Sequence, residues 1–223
     1  MDVELGSWHS QRYVGEWLGD DVVENMLSLP RNISVALVED AGVEVTHVVD
    51  LGAGHGPFLE LFLRSFPTAR GTWIDSSEAM EELARKKLAD LGERVHYVVA
   101  DVERLGEVDL EPAEVVVSSR ALHHLSPSAL EQVYRAVHDV VVPGGFVFNL
   151  DHVGAPDDWE QAYRRIRERF IGPRKQELKP HRHDYPLPPT DAHVEFATRA
   201  GFATPDTPWR AFYTALIAAR KPR

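Results

Sequence analysis

An acidic residue followed by closely spaced glycines is the feature of this sequence best suited to binding a ligand. Asp50 ends a short apolar run, and Gly52, Gly54 and Gly56 follow it at alternate positions. Glycine lets the backbone turn sharply and leaves no side chain in the way of a ligand. A dinucleotide fingerprint instead has the spacing G-x-G-x-x-G and presents a helix N-terminus to a pyrophosphate. The carboxylate here repels phosphate and suits a ligand that carries an ammonium or sulfonium group.

The segments around these residues predict a strand, a turn and a helix. Residues 48–51 are mostly apolar and β-branched, and residues 57–66 carry apolar side chains at helical spacing. Pro57 occupies a first-turn position, where proline is tolerated. A strand, a glycine turn and a helix begin a nucleotide-binding βαβ unit. The glycines alone leave open an NAD or flavin protein.

Further strands follow, and two of them also end in an acid. Residues 71–75 end in Asp75, and residues 94–101 end in Asp101. Ser76 or Ser77 is suited to cap the helix that follows Asp75. Later strands are predicted over 114–119, 146–151, 202–209 and 211–219.

This ordered set resembles the motifs of class I S-adenosylmethionine (SAM)-dependent methyltransferases, most clearly over residues 45–153. The resemblance implies an α/β fold: a Rossmann-like, seven-stranded, mostly parallel sheet with helices on both faces. It also implies an antiparallel seventh strand between the fifth and sixth. The implied activity is methyl transfer by in-line displacement, with SAM as cofactor and S-adenosylhomocysteine as product.

The resemblance also assigns roles to residues. In the family, an acid at the end of the second strand binds the ribose hydroxyls, which matches Asp75. The family's adenine-reading acid matches Asp101, with the amide of Val102 beside it. A helix cap and a turn-forming acid are the respective alternatives for these two carboxylates. The other residues expected to contact the cofactor are Asp50, Gly52, Gly54, Ser76 and Ser119.

Composition limits the classes of substrate that we expect for this protein. The chain has 223 residues and a formal net charge of −11, so attraction to a phosphate backbone over the whole surface is not expected. It has no cysteine, which excludes thiolate metal sites and mechanisms that need a cysteine nucleophile. The fourth strand runs into Ser118-Ser-Arg-Ala121, without the Asn/Asp-Pro-Pro-aromatic signature of enzymes that methylate nucleic-acid amines. We therefore expect a cytoplasmic protein that acts on a small molecule, without nucleic-acid or membrane partners.

We expect a single domain over 1–223, with a helical N-terminal cap over 1–44 and a lid-like insertion over 154–189. Pro30-Arg31 predicts a break between two N-terminal helices, at about 20–29 and 32–41. The insertion begins with an amphipathic helix over 156–170 that has an arginine-rich face. That face is either solvated, with partners such as Glu160 and Arg164, or part of a lid over an anionic acceptor.

Candidate general bases follow the fourth and fifth strands. His123 and His124 come after the fourth, while Asp151 and His152 end the fifth. We favour His124 and His152, since histidine titrates near neutral pH, and one of the adjacent pair is expected to be structural. The insertion supplies further candidate bases: His181, His183, Asp184 and Tyr185. We predict no metal, although a site built from His152, His181, His183 and Asp184 is conceivable.

The acceptor atom is expected to be oxygen or nitrogen of a small molecule. The sequence leaves open a macromolecular acceptor, such as tRNA or a protein. It also leaves open a SAM-binding protein without catalysis, and the oligomeric state.

Overall fold

The computed structural model describes residues 21–171 and 185–223, which form a layered α/β structure around one sheet. The sheet has seven strands in the order β3-β2-β1-β4-β5-β7-β6. Only β7 runs antiparallel, and it pairs with both β5 and β6. The predicted topology is therefore confirmed. The strands are β1 His47–Leu51, β2 Arg70–Asp75, β3 Val95–Val99, β4 Ala113–Ser119, β5 Val141–His152, β6 Ala203–Ala211 and β7 Thr214–Arg220.

Helices cover both faces of the sheet, because alternate strand residues point to opposite sides. Val48 and Val117 belong to one buried cluster, and Val49 and Val116 to another. Within residues 21–171 and 185–223, no helix combines the length and apolar character needed to cross a bilayer. The α-helices are α1 Asp21–Asp40, α2 Pro57–Ser65, α3 Glu78–Lys87, α4 Pro127–Val140, α5 Asp157–Ile171 and α6 Thr190–Ala200.

The predicted break at Pro30-Arg31 is wrong, because α1 runs through Pro30 as one helix. A proline inside a helix removes one backbone hydrogen bond and costs about 3 kcal/mol. A continuous buried stripe offsets that cost, since each fully buried leucine or valine contributes roughly 1.5–3 kcal/mol. The helix packs on α2 and β5 through this stripe, which consists of Leu27, Arg31, Ser34, Val35 and Val38.

Helix boundaries next to the first two strands follow the predicted signals. Gly56 precedes α2 with φ 87°, in the left-handed region that favours glycine. Ser77 caps α3, since its Oγ accepts a hydrogen bond from the Met80 amide at 3.2 Å. Ser76 is therefore not the cap, and it lines the cleft described next.

Candidate functional site

A cleft of about 270 Å³ opens at the carboxyl ends of β1, β2 and β4. Strand order reverses at this point, since β1 lies between β2 and β4, and such switch points are the usual ligand sites of open α/β sheets. The structure brings together in this cleft every residue predicted to contact the cofactor: Asp50, Gly52, Gly54, Asp75, Ser76, Asp101, Val102 and Ser119.

Two glycines of the turn after β1 have left-handed backbones, with φ 60° at Gly52 and 55° at Gly54. A Cβ at Gly52 would lie 2.2 Å from the Cβ of Ala121, so this position has no room for a side chain. At Gly54 the nearest described atom to a Cβ would be the Met80 sulfur at 3.9 Å. A side chain there would therefore extend into the space of the cleft.

The glycine turn is fastened to β2 by three hydrogen bonds. The Ala53 amide donates to the Ile74 carbonyl at 3.0 Å. The Gly54 amide donates to Oδ2 of Asp75 at 2.9 Å, and Nε1 of Trp73 donates to the Gly54 carbonyl at 2.7 Å. The turn and the end of β2 therefore form one unit.

Asp50 lies at the base of the cleft with 1% of its surface exposed. Its Oδ2 accepts a hydrogen bond from the Leu59 amide at 3.1 Å, but no described residue hydrogen-bonds to its buried Oδ1. Burial raises the pKa of Asp50 to about 8, against the opposing effects of the Leu59 amide and the positive charge of Arg31. A buried carboxylate oxygen without a partner is costly, so this group fits a cationic ligand that would satisfy it.

The other two acids already accept backbone hydrogen bonds; Asp75 ends β2, and Asp101 lies two residues after β3. Asp75 accepts from the amides of Gly54 and Ser77, each at 2.9 Å and each on a different oxygen. Asp101 accepts from the Glu103 amide at 2.9 Å and thereby caps a 3₁₀ turn. Each carboxylate oxygen can accept more than one hydrogen bond, so both acids retain capacity for a ligand.

A buried histidine–aspartate pair links the ends of β4 and β5. His123 Nδ1 donates to Asp151 Oδ1 at 2.5 Å, and the His123 amide donates to Oδ2 at 2.9 Å. The His152 amide adds a third hydrogen bond to Oδ1, at 2.7 Å. Burial alone would raise the pKa of Asp151, but the charge and hydrogen bond of His123 hold that pKa well below its ordinary range. This geometry gives His123 and Asp151 a structural role.

The two favoured base candidates lie in different surroundings. His124 lines the cleft, whereas the described part of the cleft wall does not include His152. Both imidazole rings pack on His123, at 4.1 Å for His124 and 4.7 Å for His152.

No metal-binding group of three or more side chains occurs among the described residues. Three members of the conceivable metal set, His181, His183 and Asp184, lie outside those residues. Tyr185, a candidate base from the insertion, is described and is 44% exposed.

The arginine-rich face of α5 is exposed where its side chains are described. Arg164 pairs with Glu160 at 3.0 Å, one helical turn away. This is the contact expected of a solvated face. The remaining basic residues of the insertion, at 174, 175, 179 and 182, lie outside the described residues.

Sequence reasoning missed two arginines that line the cleft, Arg31 and Arg120. Arg31 is 7% exposed, and its Nη2 donates to Ser119 Oγ at 3.4 Å. Its guanidinium carbon lies 5.9 Å from the centre of the Phe58 ring. The signal for Arg31 was its spacing of four residues from Leu27, which places it on the buried stripe of α1. The sequence gives no comparable signal for Arg120.

Known proteins resemble this chain in sequence. Residues 48–145 match the family described as methyltransferase domain. Over 106 residues the chain is 34% identical to carboxy-S-adenosyl-L-methionine synthase from Trichodesmium erythraeum, covering 46% of this chain and 41% of that protein. Over 162 residues it is 28% identical to trans-aconitate 2-methyltransferase from Klebsiella pneumoniae, covering 72% and 58%. The chain thus spans about half the length of these curated relatives.

A solved structure resembles this chain in fold. An O-methyltransferase family protein from Burkholderia thailandensis superposes with a TM-score of 0.72 at 22% identity, covering 96% of this chain and 61% of that one. The family match, the sequence relatives and this fold agree with the ordered strand-end acids and the glycine turn. This chain is therefore similar to the methyltransferase domain in sequence over residues 48–145, and to an O-methyltransferase family protein in fold.

Proposed function

We propose that the protein binds SAM in this cleft and methylates an oxygen or nitrogen atom of a small-molecule acceptor. The observation that carries the proposal is the buried, unpartnered Oδ1 of Asp50 beside the glycine turn. A diphosphate at this place would face the carboxyl groups of Asp50 and Asp75 and would oppose ionisation of Asp50, whereas a cation would favour the carboxylate form of Asp50 and be attracted by it. The names of the two curated relatives support the proposal. One name includes S-adenosyl-L-methionine, and the other includes trans-aconitate, which is a small tricarboxylate.

The residues of the cleft fit the chemical groups of SAM. Asp50 would bind the ammonium group at the amino-acid end of SAM. Arg31, whose charge acts on Asp50, would bind the carboxylate at the same end. Asp75 would bind the ribose hydroxyls. Asp101 and the amide of Val102 would bind the adenine. These assignments use opposite charges and hydrogen bonds to charged groups, which are about twice as strong as neutral ones.

SAM, when bound, supplies a methyl group on a positively charged sulfur. The protein must hold the acceptor in line with that methyl group and exclude water, which can contribute about 7–11 kcal/mol in favourable cases. The acceptor lone pair forms the new bond to carbon, while the electron pair of the broken C–S bond stays on sulfur. We assign His124 as the group that removes a proton from an O–H or N–H acceptor, because it lines the cleft. Such a base contributes roughly 10²–10⁴-fold in rate.

Calorimetry with SAM and with NAD tests the cofactor proposal directly. We expect SAM to bind and NAD to give no isotherm. Mass spectrometry of reactions with trans-aconitate and other small acids, phenols and amines would then detect transfer as a product heavier by one methylene. NAD binding without SAM binding would overturn the proposal.

Replacing Asp75 with alanine should weaken SAM binding by about 1–3 kcal/mol, because two charge-assisted hydrogen bonds are lost. Calorimetry would measure this change. Asp90→Ala is the matched control, since Asp90 is an exposed acid that pairs with Arg64 away from the cleft. Equal SAM affinity in the Asp75→Ala variant and the wild type would remove the ribose assignment. Thermal unfolding of both variants would separate binding from loosening of the Gly54 turn, which Asp75 also holds.

SAM affinity should rise with pH between about 6 and 8, by at most about tenfold per pH unit. The pKa of Asp50 in the free protein is about 8, so the group is mostly protonated at neutral pH. A bound cation favours the carboxylate, and the proton must therefore leave on binding. Calorimetry at pH 7 in buffers of different ionisation enthalpy would count that proton. Asp50→Asn should bind more weakly with a flat pH profile, and an unchanged slope in this variant would refute the assignment.

Asp50 should have the opposite effect on the stability of the ligand-free protein, which should fall as pH rises. The folded protein holds the Asp50 proton up to about pH 8, while the unfolded chain releases it near pH 4. This contribution is complete below about pH 4 and is lost as pH rises to about 8. The maximum slope is about 1.4 kcal/mol per pH unit. Urea unfolding of wild type and Asp50→Asn across this range would show whether the trend follows Asp50.

A further inference from the structure

Acidic side chains line the cleft after β1, β2 and β3: Asp50, Asp75, Asp101 and Glu103. The part that follows β4 carries Arg120 and His124. Two further basic side chains also line the cleft, His55 in the turn after β1 and Arg31 of α1, which is assigned above to the carboxylate of SAM. Acidic residues outnumber basic ones by 35 to 24 in this chain, so overall composition does not account for an arginine here. The acidic part suits the cofactor, and the basic part suits a second ligand of opposite charge.

Arg120 also has an unusual backbone for its residue type. Its φ is 57°, in the left-handed region that glycine adopts freely and that other residues adopt at a cost. Its amide donates to the Leu150 carbonyl at 2.9 Å, which fixes this conformation at the junction of β4 and β5. Glycine would satisfy the same backbone without strain. Strained residues cluster at functional sites, so an arginine at this place indicates a role for its side chain.

The neighbours of Arg120 indicate what that role is. The assigned cofactor contacts do not use it, whereas His124, the assigned base, lies four residues further along the chain and lines the same cleft. A guanidinium group is a planar fork that binds a carboxylate through two parallel hydrogen bonds. Such a contact would fix the acceptor's orientation relative to His124 as well as its identity.

We propose that Arg120 binds a carboxylate of the acceptor, so that the substrates of this protein are small carboxylic acids. The inference rests on the proposed function, since it assumes that SAM occupies the acidic part of the cleft. It makes Arg120 a specificity determinant and leaves proton transfer to His124. It also places the recognition of the acceptor's charge in the cleft itself rather than on the arginine-rich face of α5.

The test uses the protein saturated with S-adenosylhomocysteine, so that no reaction occurs. Binding of fumarate, citrate and benzoate would be measured by ligand-observed NMR and calorimetry, beside the uncharged amides of the same acids. We expect at least one carboxylate to bind, and to bind at least about tenfold more tightly than its amide. Arg120→Gln should weaken that binding by about tenfold or more, while Arg120→Lys retains part of it.

Two further variants separate recognition from general charge and from folding. Arg135→Gln removes the same charge from an exposed arginine of α4 that pairs with Glu131, and it should leave carboxylate binding unchanged. Arg120→Gly should have a melting temperature at or above that of wild type, because it relieves the left-handed backbone, yet it should lose the carboxylate. SAM affinity should change less than about twofold in each variant.

Three results would overturn the inference: no carboxylate binds the wild-type protein, the amides bind equally well, or Arg120→Gln and Arg135→Gln behave alike. The comparison of acids with amides needs no variant, so it decides the matter even if a substitution prevents folding. Loss of SAM binding by the wild type is a different result, which would remove the proposed function itself.

Discussion

A valine at position 54 should abolish SAM binding, with the dissociation constant raised by more than about 100-fold. The side chain would extend into the cleft, where the nearest described atom to its Cβ is the Met80 sulfur at 3.9 Å. The valine side chain would occupy the space that we assign to SAM. A β-branched residue at φ 55° would also strain the turn. Calorimetry with SAM measures the loss, and thermal unfolding measures the strain.

Gly42→Val is the matched control for this substitution. Gly42 has φ 60°, no described atom within 4 Å of its Cβ position, and a place outside the described lining of the cleft. Both variants should therefore lose similar stability, about 1–2 kcal/mol for the left-handed backbone, but only Gly54→Val should lose SAM. Full SAM affinity in Gly54→Val would contradict the position that we assign to the ligand.

Replacing Asp151 with alanine should lower the free energy of unfolding by about 3–5 kcal/mol. Three hydrogen-bond donors converge on this buried carboxylate: the His123 side chain, the His123 amide and the His152 amide. Each donor left unsatisfied in the interior costs about 1–3 kcal/mol. Urea unfolding at pH 7 would measure the effect. A loss below about 1 kcal/mol would mean that the pair does not hold β4 and β5 together.

Asp151→Asn is the comparison for Asp151→Ala, because asparagine keeps the shape of the aspartate side chain and one acceptor oxygen. It should lose less stability than Asp151→Ala. The pKa of Asp151 is depressed in the folded protein. Its ionised form therefore stabilises the fold fully above the unfolded pKa of about 4, and that contribution is lost as pH falls below this value. The difference between wild type and Asp151→Asn should shrink between about pH 4 and pH 2. A difference that stayed constant would point to packing as the cause.

The sheet and the acidic half of the cleft were predictable because they depend on local pattern. Asp50, Asp75 and Asp101 each follow an apolar run of strand length, and parallel strands end at the same edge of a sheet. Once the strand order is known, the three acids must lie near one another. The turn after β1 was predictable for a similar reason. Its left-handed backbone conformations favour glycine, and the glycines can be read directly from the sequence.

The position of Arg31 and the orientation of the two adjacent histidines depend on packing between distant segments. Local rules predict a break at Pro30, but the buried stripe of α1 outweighs the proline, and this decides where Arg31 lies. Whether His123 or His124 faces the cleft depends on Asp151, 28 residues further along the chain. No periodicity within either segment contains that information.

The three hydrogen bonds that fasten the glycine turn to β2 have a consequence for the thermodynamics of ligand capture. Ordering a loop on association costs conformational entropy, which is subtracted from the affinity that contacts provide. Here Ala53 and Gly54 are already held by Ile74, Asp75 and Trp73 before any ligand arrives. The turn therefore has little freedom left to lose, and the favourable enthalpy of its contacts is retained almost in full as binding free energy.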